Sequence, residues 1–374
     1  MKLLIILDTL AVGGAETSTL AIVRELVPAG HSVIVATLYG GGGLVPQFEA
    51  TGATVVVHDL RRKYGFWRGQ RYLRSLLDRT APDLVHASLF RSEIVARLAL
   101  LGSPLPLINS FVNDSYSKYH YGLKRSPLGK AKLFGIQLID FITKGRVDHF
   151  TAITSSTKDE NARALRVPAH NISVIYRGRS VAAHPAQQPR AATAAGLTFL
   201  TTSRLIWRKG YREALTAIAG LEGEGIRYLI AGDGVDAAAI KQYAAGLAHR
   251  ERFEFLGEVS DVTSLYPRAD FFLMPSHYEG LGGALIEAML AKIPIIASDI
   301  PVFHEVTDEN ALFFRVTDAQ KLRGLLQQLD NRDQYRDMVE RAYQTARRRY
   351  DISEVAQETL ALYQRVADQK QQRK

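Results

Sequence analysis

The 374-residue chain contains no cysteine. Disulfides, thiolate nucleophiles and thiolate metal sites are excluded, and the usage suits a reducing cytoplasm. No apolar run approaches the roughly 18 residues that span a bilayer. Residues 1–8 have too short an apolar stretch for a signal peptide and no small-residue cleavage site, so they read as a buried first strand. No Asp-x-Asp triplet occurs, although many enzymes that handle diphosphates use such a pair to hold a metal. The glycine turn after the first strand, Val12-Gly13-Gly14-Ala15-Glu16-Thr17, lacks the G-x-G-x-x-G of a dehydrogenase.

What is present describes a globular chain of two ordinary domains, with 47% hydrophobic and 23% charged residues. The net charge of +9 is uneven. Residues 61–150 hold 16 Lys and Arg against 6 Asp and Glu, a net of +10, so the rest sum to about −1. Aromatics are interleaved with the cations in Arg61-Arg62-Lys63-Tyr64-Gly65-Phe66-Trp67-Arg68 and in Lys118-Tyr119-His120-Tyr121-Gly122-Leu123-Lys124-Arg125. Three readings stand: a surface that docks on anionic lipid, a nucleic-acid patch, or a solvated basic face. No recognisable nucleic-acid module accompanies it, so no nucleic-acid partner is expected.

Apolar runs alternate with helical stretches. Strands are predicted near 2–8, 32–38, 53–58, 83–87, 105–110 and 149–153, with helices near 15–29, 68–80, 91–101 and 156–165. The second half repeats the pattern, with strands near 197–202, 227–231, 253–256, 270–274, 293–297 and 312–314. Near-continuous apolar strands separated by helices argue for an α/β fold with two Rossmann-like, doubly wound parallel sheets. Residues 180–190, with prolines and no periodicity, are the expected linker, dividing a domain of 1–180 from one of 190–348. Residues 352–369 form a last helix. Ligands of such folds bind at the carboxyl ends of the strands, so the loops following strands matter.

One such loop is the most informative. After the apolar run 270–276, His277-Tyr278-Glu279-Gly280-Leu281-Gly282-Gly283-Ala284-Leu285-Ile286-Glu287 sets two carboxylates eight positions apart around a glycine turn that opens a helix. Outward-pointing N–H groups at a helix start favour an anion. The two acids would repel a bare phosphate but accept hydrogen bonds from hydroxyls. A diphosphate flanked by polyols, a nucleotide sugar, satisfies both. The arrangement resembles the retaining GT-B glycosyltransferases of family four (glycosyl transferases group 1). That resemblance implies two Rossmann-like domains with a cleft between them and a C-terminal helix, here about 350–369, crossing back to the first. By position, Glu279 would hold the donor sugar, Gly280, Leu281 and Gly282 would face sugar and diphosphate, and Glu287 would hold the ribose.

Further motifs extend the resemblance. Gly13-Gly14-Ala15-Glu16 matches the family loop that closes over donor phosphate and acceptor. Arg204 through Lys209-Gly210 looks like the family's Arg…Lys-Gly signature, in which both cations neutralise the diphosphate. Glu279, Arg204 and Lys209 thus inherit the catalytic roles. Gly232, in Ala231-Gly232-Asp233-Gly234, and Val259, after Gly257, match loops near the base. Gly40-Gly41-Gly42-Gly43 reads as a mobile acceptor-side loop. Two departures stand out. Tyr176-Arg177-Gly178-Arg179 replaces the usual Pro-Asn-Gly, leaving Arg177 and Arg179 unexplained. Val112 takes the place of a donor-contacting histidine, with Asn113 and Asp114 next to it and His86 and His120 as candidate substitutes.

The resemblance implies a metal-independent, cofactor-free, retaining transferase with no side-chain general base, because the leaving diphosphate takes the acceptor proton. A UDP-sugar is the favoured donor and a GDP-sugar (mannosyl) the alternative. The acceptor would be a saccharide or lipid-linked saccharide of envelope polysaccharide or lipopolysaccharide biosynthesis. The expected location is cytoplasmic, peripheral at the inner face of an anionic membrane. Rivals are a nucleotide-sugar-binding protein that has lost transfer, and an epimerase.

Overall fold

A computed structural model describes residues 1–60, 65–124, 126–182, 196–329 and 332–372. Arg61 to Tyr64, Arg125 and most of the expected linker, from residue 183 on, lie outside the described residues. Contacts divide the chain into two compact units, residues 1–178 with 352–374, and residues 179–351.

The first unit holds a seven-stranded, wholly parallel sheet. Its strands are β1 (Lys2–Leu7), β2 (Ser32–Thr37), β3 (Thr54–Val56), β4 (Leu84–Ser88), β5 (Leu107–Phe111), β6 (His149–Ala152) and β7 (Ile172–Val174), in the order β3-β2-β1-β4-β5-β6-β7. β1 shows why its residues make a strand. Leu3, Ile5 and Leu7 enter one apolar cluster while Leu4 and Ile6 enter the other, so side chains two apart share a face and both faces are covered. The last helix, Ile352–Gln372, adds Leu362, Tyr363 and Val366 to the same cluster as Leu20 and Val23 of the Gly14–Leu26 helix. It belongs to the first unit, as the resemblance implied.

The sequence reading missed the short helices Val45–Glu49 and Lys118–Gly122 and two elements of more consequence. One is the short edge strand β7. The other is a 17-residue helix, Pro127–Thr143, with proline at its start and the Ser126 hydroxyl accepting from Gly129 N at 3.1 Å. A buried charged cluster fixes this helix to the unit. Arg97, 1% exposed, donates from Nε to Asn109 Oδ1 at 2.7 Å and from Nη2 to Glu93 Oε2 at 3.4 Å, and it pairs with Asp140 of the helix. Tyr116 donates to the other Asp140 oxygen at 2.8 Å. Burial raises the Glu93 carboxyl above its usual range against the pull of Arg97. Removing one partner would strand a buried charge, which costs several kcal/mol (roughly 3–5).

The second unit holds six parallel strands, β8 (Thr198–Thr202), β9 (Arg227–Ala231), β10 (Phe253–Gly257), β11 (Phe271–Met274), β12 (Ile295–Ser298) and β13 (Leu312–Phe314). Their order is β10-β9-β8-β11-β12-β13. The order reverses between β8 and β11, and in the first unit between β1 and β4. At such a reversal the crossover helices depart to opposite faces and leave a crevice beyond the carboxyl ends. The loops at the four strand ends are those that begin at Asp8, Leu89, Ser203 and Pro275.

The Gly40–Gly43 run is held rather than loose. Leu10 O accepts from Leu44 N at 3.0 Å, and a Cβ on Gly42, at φ +143°, would lie 2.2 Å from the Leu10 carbonyl carbon. Glycine there permits close backbone approach.

Candidate functional site

In the second unit, β8 and β11 are neighbours, so the loops after them meet. Lys209 ends a short turn of helix, Trp207–Lys209, and is buried. Its Nζ donates to Glu279 Oε1, which also accepts from Ser276 Oγ at 3.2 Å. The next residue locks the pair in place. Gly210 has φ +74°, and a Cβ there would stand 1.8 Å from Pro275 O. Only glycine lets the Lys209 loop pass so close to the Glu279 loop. His277 N donates to Arg208 O at 2.9 Å, stitching the loops again, and His277 Nε2 lies 3.2 Å from Glu213 Oε1. Arg204 is exposed; its carbonyl accepts from Ile206 N at 2.9 Å, and its side chain makes no hydrogen bond or ion pair among the described residues.

The second carboxylate is paired as well. Glu287 lies on the Gly283–Leu290 helix, which starts after Gly282 at φ +82°. Glu287 Oε1 accepts from Arg179 Nε at 2.9 Å, and Oε2 accepts from the Tyr266 hydroxyl at 3.3 Å. Burial, then the Glu287 charge, raises the Tyr266 hydroxyl well above its usual value, so it remains a donor. A Cβ on Gly283 would fall 2.1 Å from Arg179 Nη2, so the guanidinium lies against the start of that helix. Gly280 is partly exposed and Leu281 is buried.

The loops after β9 and β10 are tight. Gly232, at φ +128°, donates to Gly257 O at 2.7 Å, and a Cβ on it would lie 2.2 Å from Ser203 O. Its glycine serves packing beside Arg204. Val259 is partly exposed beyond β10.

In the first unit, Gly13 caps the Gly14–Leu26 helix with Glu16 in its first turn. A Cβ on Gly13 would sit 2.4 Å from Glu16 Oε2, and one on Gly14 would sit 2.6 Å from Arg177 Nη1. Arg177 therefore reaches the glycine loop, a role its place in the sequence does not disclose. At the neighbouring strand ends, Asp8 accepts from Ser92 N at 2.9 Å and from Arg91 Nη1 at 3.3 Å. Val112 lines a cavity of about 430 Å³ with Asp8, Asn113, Tyr116, His120 and Asp140. Asn113 is exposed, and Asp114 Oδ1 lies 3.3 Å from His120 Nδ1. His86 has both ring nitrogens engaged, by Tyr363 and Ser110, and burial lowers it to about 4, so its ring is neutral near pH 7; with Val112 it lines a small cavity of about 70 Å³.

Sequence reasoning singled out both carboxylates and Lys209. It missed Ser276 and Tyr266, whose partners become neighbours only through folding. Among the described residues, no group of three His, Asp or Glu is placed to hold a metal ion.

Two parallel α/β units of this kind, each with its order reversed at an inner strand, are shared with known proteins. Residues 186–345 match the family described as glycosyl transferases group 1, and residues 12–182 match glycosyltransferase family 4. The chain belongs to the group 1 glycosyl transferases. It is 26% identical over 223 residues to the O-antigen chain mannosyltransferase RfbU of Salmonella typhimurium, covering 57% of this chain and 58% of that protein. It is 33% identical over 167 residues to a phosphatidyl-myo-inositol mannosyltransferase of Mycobacterium leprae, covering 43% and 44%. The match thus spans less than two thirds of either relative. The crystal structure of Anabaena HepE in complex with UDP has the same fold, with TM-score 0.82 at 18% identity over 97% of this chain and 99% of that one.

Proposed function

We propose that the protein is a retaining, metal-independent glycosyltransferase that moves a sugar from a nucleotide sugar to a hydroxyl of a saccharide or lipid-linked acceptor. Envelope polysaccharide, lipopolysaccharide or glycolipid synthesis at the cytoplasmic face of a membrane is the setting. Residues 190–348 take the donor, and residues 1–180, with the last helix, take the acceptor. The observation that carries the reading is the pairing of Lys209 with Glu279 beside exposed Arg204, all at the switch point of one sheet.

The chemistry follows from charge. Cleaving the glycosyl–phosphate bond builds negative charge on the departing diphosphate. Lys209, held by Glu279 before the reaction, and Arg204 stabilise that charge more in the transition state than in the bound donor. Glu279 accepts from donor-sugar hydroxyls and holds Lys209 in place. Glu287 accepts from the ribose. Gly280, Leu281 and Gly282 offer backbone N–H groups, and Gly13 and Gly14 let a second backbone approach the phosphates. The departing oxygen receives the acceptor proton, so no side-chain base is needed.

A UDP-sugar is favoured because HepE, of like fold, holds UDP. The mannosyltransferase relatives support the alternative, a GDP-linked mannosyl donor. A rival reading, donor binding without transfer, rests on Val112 in the histidine's place.

The test is a thermal-shift screen with UDP, GDP, ADP and their sugars in the presence of EDTA, followed by product analysis. A ligand at one hundred times its Kd adds about 2.7 kcal/mol of stability. A selective shift with EDTA present, and turnover, supports the reading. A shift without turnover favours the rival, and no shift with any nucleotide removes the donor assignment.

A further inference from the structure

The Pro127–Thr143 helix is amphipathic in an unusual sense, because its solvent face is the apolar one. Leu128, Phe134, Leu138, Ile139, Phe141 and Ile142 are all exposed large hydrophobics, with Leu128 at 80% and Ile142 at 69%. At about 100° per residue these positions, with Ala131 and Gly135, fill an arc of roughly 160° that contains no polar residue. Lys132 stands at one edge of the arc and Lys130 at the other, both exposed. Leu133, Ile136 and Asp140 face inward and line the 430 Å³ cavity.

The helix is anchored from its inner side. Asp140 pairs with buried Arg97, and Gln137 accepts from the Tyr121 hydroxyl at 2.6 Å and donates to Ala164 O at 3.0 Å. The apolar face is thus held outward by a rigid body, and contiguous exposed apolar surface of this kind marks an interaction site.

We infer that this face of the Pro127–Thr143 helix is a docking surface for an anionic bilayer. Charge decides the occupant. Residues 115–139 carry five Lys and Arg and no Asp or Glu. A second copy of the chain seated on the same face would bring like charges together. An anionic headgroup layer pairs with Lys130 and Lys132 while the six hydrophobics enter the acyl boundary, as an interfacial helix does. The surface differs from the aromatic, basic segments that the sequence first suggested: it follows them and is built from Leu, Ile and Phe without Tyr or Trp. Docking would bring the cavity under the inner face of the helix next to the interface, where a lipid-linked acceptor is found. The inference does not depend on the transfer reaction, and its test uses no nucleotide.

The experiment is cosedimentation of the full chain with phosphatidylglycerol-rich vesicles and with neutral phosphatidylcholine vesicles, across a salt series. Binding to the anionic vesicles that weakens with salt is expected, with little to the neutral ones. The triple variant Phe134→Ser, Leu138→Ser, Ile142→Ser should lower partition about tenfold or more. Its circular dichroism melt should be unchanged, since the three side chains face solvent. In Phe134→Trp, brominated acyl chains should quench the new indole. A folded triple variant that partitions like the parent, an unquenched indole, or equal binding to neutral vesicles at all salt concentrations would overturn the inference. A parent chain that ignores vesicles but is dimeric, and becomes monomeric in the triple variant, would assign the face to a second copy.

Discussion

Arg179 Nε donates to Glu287 Oε1 at 2.9 Å, joining the residue that opens the second unit to the carboxylate proposed to hold the donor ribose. With the Tyr266 hydroxyl on Oε2, the arginine leaves neither oxygen of that carboxylate without a donor. The guanidinium also lies against the start of the Gly283–Leu290 helix. Positive charge beside a helix N-terminus is unfavourable unless an anion shares the space.

Arg179→Ala should therefore raise the donor KM by about tenfold, equivalent to roughly 1.4 kcal/mol, with a smaller change in kcat. Arg179→Lys keeps the charge but loses the directed Nε contact and should recover only part. Steady-state kinetics with varied donor decide it; an unchanged KM in Arg179→Ala would sink the assignment.

Lys209→Ala and Glu279→Ala should each lower kcat at least about a hundredfold, as lost transition-state contacts do. Because the two side chains are paired and mostly buried, each single change strands a charge. The double variant should then lose much less than the product of the single losses. Strict multiplicativity of the kcat losses would separate their roles.

Gly210→Ala combines a left-handed backbone with a Cβ 1.8 Å from Pro275 O. A loss of about 3 kcal/mol in unfolding free energy is expected. Gly324, in the Ala319–Gln327 helix with open space at its Cβ, is the comparison. Gly324→Ala should gain about 0.5–1 kcal/mol. Urea unfolding of both variants checks the pair, and equal effects would contradict the close approach.

His86 and His149 are both lowered to about 4 by burial. In the unfolded chain each binds its proton near pH 6.5. Between pH 6.5 and 4 the unfolded state therefore binds more protons, and stability falls as pH falls through that window. The neutral rings contribute fully above it. The loss should be on the order of a few kcal/mol, and it should be smaller in His86→Gln. Urea midpoints measured from pH 7 to 4 test this; a flat profile would contradict burial of neutral rings.

The strands could be read because parallel strands covered on both faces are continuous apolar runs, as in β1 and β11. The glycine turns could be read because their residues bear on local geometry, as Gly210 and Gly282 do. The edge strand β7, only Ile172-Ser173-Val174, is too short to show a period. The Pro127–Thr143 helix went unread because its apolar arc faces solvent, against the usual expectation that such an arc is core. Glu287 could be named from its spacing, but its partner is 108 residues away, and only folding joins them. His86 drew notice as a histidine, yet one of its ring nitrogens is taken by Tyr363 from the far end of the chain. Single residues were legible where the backbone constrains them locally, and pairings across the sheet were not.

The second unit begins and ends at one place. Arg179 N donates to Tyr350 O at 2.7 Å, Arg179 bridges Asp351 in parallel, and Gly178 lies against Ile352. The polypeptide enters residues 179–351 and leaves them through adjacent, paired backbone. That segment is accordingly a cassette whose two ends can be cut and rejoined together. A homologous block from a relative with another donor could be spliced in at Gly178 and Ile352 while every strand of the first sheet keeps its order. Chain connectivity alone thus makes residues 179–351 an exchangeable module.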